Sequence, residues 1–446
     1  MSNTTDFLFL QWAPTLIGGL FVFLFGACVG SFLNVLAWRL PTGQSVVTPP
    51  SRCPICGHRL GWRENLPILG WFLLRGRCKA CKQSISCQYP IVELLVALLF
   101  LAAFIALYAP LDRSSGLFFD DAASPWWRAQ GFGASWPAFV LVVLTISGLV
   151  AMTIVDAKTM LIPVEIPTGV TLIAFVGWFV QGFLPEAKNL RDFMPIPVAS
   201  TALVCAAVGL FLGLGVSRFL LRTGRLRHGF SDWSEFVKEG DDPGIYPHAR
   251  REMFVELAFL LPGIVGAVAG WMIAGWLVTA PQTASDTAFC APWTLLGGSL
   301  VGWVVGGALV WGVRILGSLA FGREAMGLGD VHLQAAVGAA FGWKVALLAF
   351  FVAVFVAIAW ALLSLLLRRF STFFRREIPF GPHLAAGAIL FIVARGPVVR
   401  TMDAFARGLE QAVELVAGPL PERLEEPDGK TRRMPPAELA RPTDRR

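Results

Sequence analysis

The chain has 446 residues, 55% hydrophobic and 15% charged, with a mean hydropathy of +0.64. That composition excludes a water-soluble globular protein and a disordered one, and describes a chain that crosses a bilayer many times. The net charge of +7 lies in loops between apolar runs and comes with no nucleic-acid-binding signature, so anionic lipid is its expected counterpart and nucleic acid is not.

An apolar segment needs about 20 residues to cross. Ten candidates follow in chain order: Leu16–Ala37, Ile91–Tyr108, Trp136–Val155, Ile166–Leu184, Pro197–Val216, Phe254–Ala280, Thr294–Ile315, Val331–Ala340, Val345–Leu367 and Leu384–Ala394. Val331–Ala340 is short, and either crosses or enters the membrane as a covered re-entrant helix. No Lys or Arg precedes the first span, which therefore reads as a retained signal-anchor with an outward N-terminus. The next loop carries Arg39, Arg52, Arg59, Arg63, Arg75, Arg77, Lys79 and Lys82, so the positive-inside rule puts it in the cytoplasm. Alternation then places Asp156 inside, Asp112–Asp121 outside, Arg218–Arg251 inside, Pro281–Trp293 outside and Asp330 inside. The basic cluster Arg368, Arg369, Arg375 and Arg376 also falls inside if Val331–Ala340 crosses; the Pro- and charge-rich tail then lies outside and reads as disordered. Trp126-Trp127, on an outer loop, is a candidate for membrane-surface contact or for packing.

Four of the eight cysteines form C-x2-C-x21-C-x2-C: Cys53, Cys56, Cys78 and Cys81. In a reducing compartment that spacing favours a tetrahedral four-thiolate zinc site over disulfides, and a closed shell is structural. His58 beside it is expected in the second shell or in solvent. Cys28 and Cys205 fall within apolar spans, Cys290 on the outer side, and Cys87 is a lone thiol near the cluster.

Asp156 ends one span, and Asp330 closes Gly327-Leu328-Gly329-Asp330 at the start of another. Carboxylates near hydrocarbon are costly and mark functional sites. Two on one membrane face suggest acid/base work in which close like charges share a proton: one activates a water and the other polarises a carbonyl. Gly327 and Gly329 would let the backbone approach a substrate strand closely. The bland alternative makes Asp156 an interfacial residue and Asp330 a helix cap.

These residues resemble the type IV prepilin peptidases, the prepilin leader peptidase/N-methyltransferases. Gly30-Ser-Phe-Leu-Asn34-Val with Arg39-Leu-Pro41 is similar to the family's first-helix signature. Ser51-Arg-Cys-Pro-Ile-Cys56, Trp62, Asn65, Pro67 and Leu74-Arg-Gly-Arg-Cys78 follow its cysteine domain, which Tyr89-Pro-Ile-Val-Glu93 closes. Gly322-Arg-Glu-Ala-Met-Gly327-Leu-Gly329-Asp330 resembles its second-aspartate segment and Phe380-Gly-Pro-His383 the start of its last helix. Gln88, Ala325 and His332 depart from the family's usual Arg, Gly and Lys, and Glu165 stands near where an Asp is usual.

The resemblance implies an all-α polytopic membrane protein of about ten transmembrane helices, a family core of eight plus an inserted hairpin, with a small cytoplasmic four-cysteine zinc-binding loop domain. The implied division is a first helix (1–40), the cysteine domain (41–90), a transmembrane core with the first aspartate (91–196), the inserted hairpin with its basic cytoplasmic stretch (197–280), a core with the Gly-Leu-Gly-Asp motif (281–397) and a disordered tail (398–446). It also implies an aspartic endopeptidase of the bacterial inner membrane, catalysed by Asp156 and Asp330. Its substrates would be prepilins or pseudopilins with a basic leader, for which Glu64 and Glu93 are candidate partners. Type IV pilus or type II secretion assembly proteins are further candidate partners. N-methylation by S-adenosylmethionine is implied by the family alone, since the chain has no glycine-rich nucleotide loop. Competing readings are another intramembrane GxGD protease, which would lack the cysteine loop, a transporter using the membrane carboxylates, and a hairpin acting as a docking adaptor.

Overall fold

The computed structural model describes residues 2–109, 124–184, 196–237, 246–277, 291–367 and 379–394, with shorter stretches between 396 and 432. Asp112–Asp121, nearly all of Pro281–Trp293, Cys290, the Arg368–Arg376 cluster and most of the 398–446 tail lie outside the described residues. The described chain is helical: α1 (Ser2–Arg39), α2 (Leu69–Leu73), α3 (Gln88–Tyr108), α4 (Ser124–Thr159), α5 (Glu165–Gln181), α6 (Thr201–Arg222), α7 (Trp233–Phe236), α8 (Ala249–Leu277), α9 (Ala291–Phe321), α10 (Leu328–Phe341), α11 (Trp343–Leu367) and α12 (Phe380–Val393). The loop between α1 and α3 is mostly irregular, with single antiparallel bridges Arg52–Arg59 and Arg77–Ser84, and a two-residue ladder, β1 (Leu424–Glu425) against β2 (Thr431–Arg432), lies in a separate unit that begins at Gly396.

Each of the ten expected spans coincides with a helix over most of its length. Seven are long and apolar enough to cross a membrane, and α5 and α12 are shorter apolar helices. The short Val331–Ala340 segment lies in α10, whose 14 residues rise about 21 Å. From Asp330 to Phe341 every residue of α10 except His332 is buried. Helices α4, α5, α9, α11 and α12 surround it, so protein rather than lipid covers a helix too short to span alone.

Packing fixes the direction of each helix. Gly18 lies against Phe104 and Gly30 against Glu93, so α1 and α3 are antiparallel. Tyr108 at the end of α3 bonds Ser135 at 2.7 Å, near the start of α4. Gln181 at the end of α5 returns to that same end of α4, donating to the Ala134 carbonyl at 2.9 Å. Trp178 donates to the Ala340 carbonyl at 2.9 Å, which sets α10 parallel to α5. Ser299 donates to the Ala339 carbonyl at 2.6 Å, so α9 runs back along α10. The ends of α1, α4 and α9 therefore gather at one end of the bundle with the starts of α3, α5 and α10. Trp127 is fully buried edge-on to Tyr108, which settles that residue as packing rather than membrane contact.

Helices α6 and α8 form a hairpin whose backbones touch at Gly209–Gly266 and at Gly213–Pro262. Between α9 and α10 the same device recurs at Gly302 and Gly338, where a methyl on either would strike the other's carbonyl. Small residues of this kind let helices approach where no hydrophobic force separates helix from lipid. Gly338→Ala is expected to overpack this contact at a cost of about 1–3 kcal/mol, seen as a lower thermal midpoint in detergent. Gly169→Ala in α5, where the added methyl meets nothing within 4 Å, should leave the midpoint unchanged or raise it.

Candidate active site

Asp156 lies in the last turn of α4 and Asp330 in the first turn of α10, and both are buried, at 4% and 8% exposure. They lie close enough to interact electrostatically. The Asp156 carbonyl accepts from Met160 N–H at 2.8 Å, and Met160 takes a left-handed φ of 55°. That turn ends α4 and sends the chain back through Ile162 to α5.

Asp330 owes its orientation to the helix start. Gly327 precedes α10 with extended backbone, φ −70° and ψ 147°. The Asp330 amide donates to the Gly327 carbonyl at 3.2 Å, while the Gly327 N–H points back at the Asp330 carboxylate. This is the reach-back half of a capping box, so Asp330 is the third residue of the helix and not its cap. A side chain at Gly327 would lie 3.6 Å from Asp330 Oδ2, an ordinary contact. Gly329 is tighter: a Cβ there would come within 2.9 Å of Ile162 Cβ.

The residue that sequence reasoning missed is Gly381. It lies in Phe380-Gly-Pro-His383, which the sequence marks only as the start of the last helix. Its N–H points at the Asp156 carboxylate, and any Cβ at Gly381 would strike Asp156 Oδ2 and crowd Ile162 at 3.1 Å. Oδ2 is buried without a hydrogen-bond partner. Ile162 thus touches the glycines beside both aspartates. Glu165, near where the family shows an Asp, is exposed in the first turn of α5.

The four cysteines form a second group in the loop between α1 and α3. Their Sγ atoms all lie within 4.8 Å of one another, with Cys53–Cys81 and Cys56–Cys78 each at 3.9 Å. A tetrahedral thiolate shell with metal–sulfur bonds of about 2.3 Å has edges of about 3.8 Å, so these sulfurs can hold a metal ion. Two equivalent turns present them. Cys53 N–H donates to the His58 carbonyl at 2.9 Å and Gly57 N–H to the Cys53 carbonyl at 3.0 Å; Cys78 and Lys82 repeat the pattern with Gln83 and Cys78. The backbone N–H groups of Cys56 and Ile55 pull the Cys53 thiol down to about 6, while burial and the neighbouring sulfurs push Cys81 up to about 11, as expected where several thiols crowd together.

His58 does not join the four sulfurs, and its Nε2 pairs with Glu64 Oε2 at 3.2 Å. Glu64 also accepts from Gly61 N–H at 3.2 Å and pairs with Lys79 at 3.3 Å. The Gly61 N–H, with His58 and Lys79, holds its carboxyl below the usual carboxylate range. Glu93 is buried and accepts from Ile68 N–H at 2.5 Å. Both carboxylates expected to greet a basic leader are therefore engaged within the loop and at its junction with α3.

Residues 24–107 match the model of the Bacterial Peptidase A24 N-terminal domain. Over 82 residues the chain is 58% identical to a prepilin leader peptidase/N-methyltransferase of Myxococcus xanthus, covering 18% of this chain and 24% of that protein. It is 32% identical over 271 residues to the prepilin leader peptidase/N-methyltransferase of Pseudomonas putida, covering 55% of this chain and 77% of the relative. It is 31% identical over 270 residues to that of Stutzerimonas stutzeri, with the same 55% and 77% coverage. No solved structure matches.

Elemental analysis of the purified protein is expected to return a single metal ion per chain. Cys56→Ser with Cys78→Ser should remove it, because two of the four thiolates go, while Cys87→Ser should leave it in place.

Proposed function

We propose, because the chain belongs to the prepilin leader peptidase/N-methyltransferase family, that it removes the leader from type IV prepilins or pseudopilins using Asp156 and Asp330 as an aspartic dyad. The observation that supports this most directly is the convergence of the two carboxylates, from helices far apart in sequence, with Gly381 pressed on one and Gly327 capping the other.

Hydrolysis then follows from two carboxyl groups sharing one proton. The ionised carboxylate takes a proton from a water, whose oxygen bonds to the scissile carbonyl carbon. The protonated partner gives its proton to the carbonyl oxygen as the π bond opens, leaving a neutral gem-diol. Collapse of the diol returns a proton to the dyad and delivers another to the leaving nitrogen, so the peptide C–N bond breaks with one water consumed. The unpartnered Asp156 Oδ2 is a candidate acceptor for that water, and backbone N–H groups at Gly327 and Gly381 keep both carboxylates in register. The pair titrates as a unit.

The reaction belongs at the cytoplasmic face. The basic loop after α1 lies at the same end of the bundle as both aspartates, and cytoplasmic loops carry the excess of Lys and Arg. The multi-pass inner-membrane setting suits a substrate that is itself a basic leader followed by an apolar helix. Zinc is the ion that Cys53, Cys56, Cys78 and Cys81 would hold; with all four positions filled by thiolate, it would cross-link the loop rather than activate water. The division at 41–90, 91–196, 197–280 and 281–397 places this loop, the first aspartate, the hairpin and the second aspartate in successive segments.

N-methylation of the new terminus is the second activity in the proposal, with S-adenosylmethionine as its implied donor. Among the described residues there is no strand-and-glycine-loop cradle for a nucleotide.

Purified protein should cleave a prepilin in detergent, and Asp156→Asn or Asp330→Asn should each abolish cleavage; activity surviving both changes would remove the dyad. Gly381→Ala should fall close to those variants, because the methyl displaces the Asp156 carboxylate, and displacement of reacting groups by about 1 Å costs on the order of 100-fold. Mass spectrometry of the mature pilin should show a methylated N-terminus, and a free amine would sink the second activity.

A further inference from the structure

Side chains of the 197–280 hairpin grip the end of α9, from which the chain runs on to the second aspartate. Arg250, at the start of α8, donates to the Leu319 carbonyl at 2.9 Å and the Ala320 carbonyl at 3.3 Å. Six residues further on, Glu256 accepts from Trp311 Nε1 at 2.6 Å and from Arg314 Nη2 and Nε at 2.9 and 3.1 Å. Arg314 is 2% exposed. Its remaining nitrogen, Nη1, donates to the Glu324 carboxylate and the Met326 carbonyl. Met326 is the residue immediately before Gly327.

A planar guanidinium with five fixed donors suits this task, since it can grip a carboxylate with one edge and a second carboxylate and a backbone carbonyl with the other. Arg314 and Glu256 also line a cavity of about 590 Å³ between the hairpin and the catalytic segment, with Phe230, Trp311, Leu328 and His332. The charges facing it from α8, α9 and the Glu324 segment are paired with one another, and so is Arg227, which bonds Ser231 at 3.0 Å and approaches Asp232 at 3.7 Å. Arg218 of α6 lines the cavity as well. What the geometry does carry is a mechanical link from α8 to the strand of chain leading into Gly327.

We infer that Arg314, clamped by Glu256 of the hairpin, is a positioning residue for Asp330: it fixes the Glu324–Met326 segment and so sets where Gly327 turns into α10. The hairpin is then part of the catalytic framework and not an appended adaptor. The inference rests on the dyad reading.

The test is steady-state prepilin cleavage by the full chain in detergent, comparing wild type, Arg314→Gln, Arg314→Lys and Glu256→Gln, with Asp156→Asn and Asp330→Asn assayed beside them. Arg314→Gln should lower kcat at least about tenfold, within the range that small misplacements of reacting groups produce, with KM within about twofold. Arg314→Lys should recover part of the loss, because an ammonium can satisfy one carboxylate but not the carbonyl as well. Glu256→Gln keeps the shape and one acceptor and should show a smaller kcat loss in a fully folded protein, so the inference stays testable if Arg314→Gln fails to fold. Folded Arg314→Gln or Glu256→Gln cleaving like wild type, while the aspartate variants are dead, would overturn it. So would a rise in KM with kcat unchanged, which would assign Arg314 to substrate binding. Cleavage surviving in the aspartate variants would strike the dyad itself.

Discussion

A carboxylate at the end of an apolar helix has little water to solvate it, so its surroundings must come from the protein. For Asp156 they come as backbone: Gly381 lies so close that no side chain fits between α12 and the carboxylate. For Asp330 they come as the open amides of a helix start. Most of the bundle can be understood as what is needed to bring those two contacts to one place. Helix α10 must be enclosed to carry an acid in its first turn, its short length requires neighbours on every side, and the glycine contacts with α9 allow those neighbours to come within backbone distance.

The same economy of backbone contact organises the periphery. The cysteine loop begins where α1 ends and returns where α3 starts, and it is tied there by Ile68 N–H on Glu93 and by Asn34 donating to the Tyr89 carbonyl at 3.2 Å. The inserted hairpin touches itself through glycine faces inside the apolar zone, and meets α9 through apolar contacts such as Phe211 on Trp303 and through ions at its end. Buried charge of this kind contributes specificity of placement more than stability. Arg314 is useful because it satisfies three acceptors from two different segments at once.

Much of this was legible in the sequence, for identifiable reasons. Long apolar runs have to become helices in lipid, since no other structure satisfies their backbone, so the ten helical segments followed from hydropathy. The cysteine spacing predicted a cluster because paired Cys-x-x-Cys turns can point four sulfurs only at a common centre. The two aspartates stood out as charge where charge is expensive. Gly381 did not, because a glycine in an apolar helix carries no signal of what it touches; only the fold reveals a carboxylate opposite it. Glu64 and Glu93 looked available for a substrate because sequence shows charge without its partners. Arg314 was hidden for the same reason, being one basic residue near the end of a span, where snorkelling to the interface is the ordinary expectation.

The position of Gly381 has a consequence for biosynthesis. Chains enter the membrane from the N-terminus, so Asp156 is in place long before α12 is made, and Asp330 and α10 follow it. The wall that confines the Asp156 carboxylate arrives with the last of the core helices, after 380 residues have been synthesised. Until then the first acid faces an unfinished cleft, and its pairing with the second is unsupported on one side. A chain that cleaves leaders with this pair would thereby be inert while nascent, and would acquire its cutting geometry only when its own insertion is nearly complete.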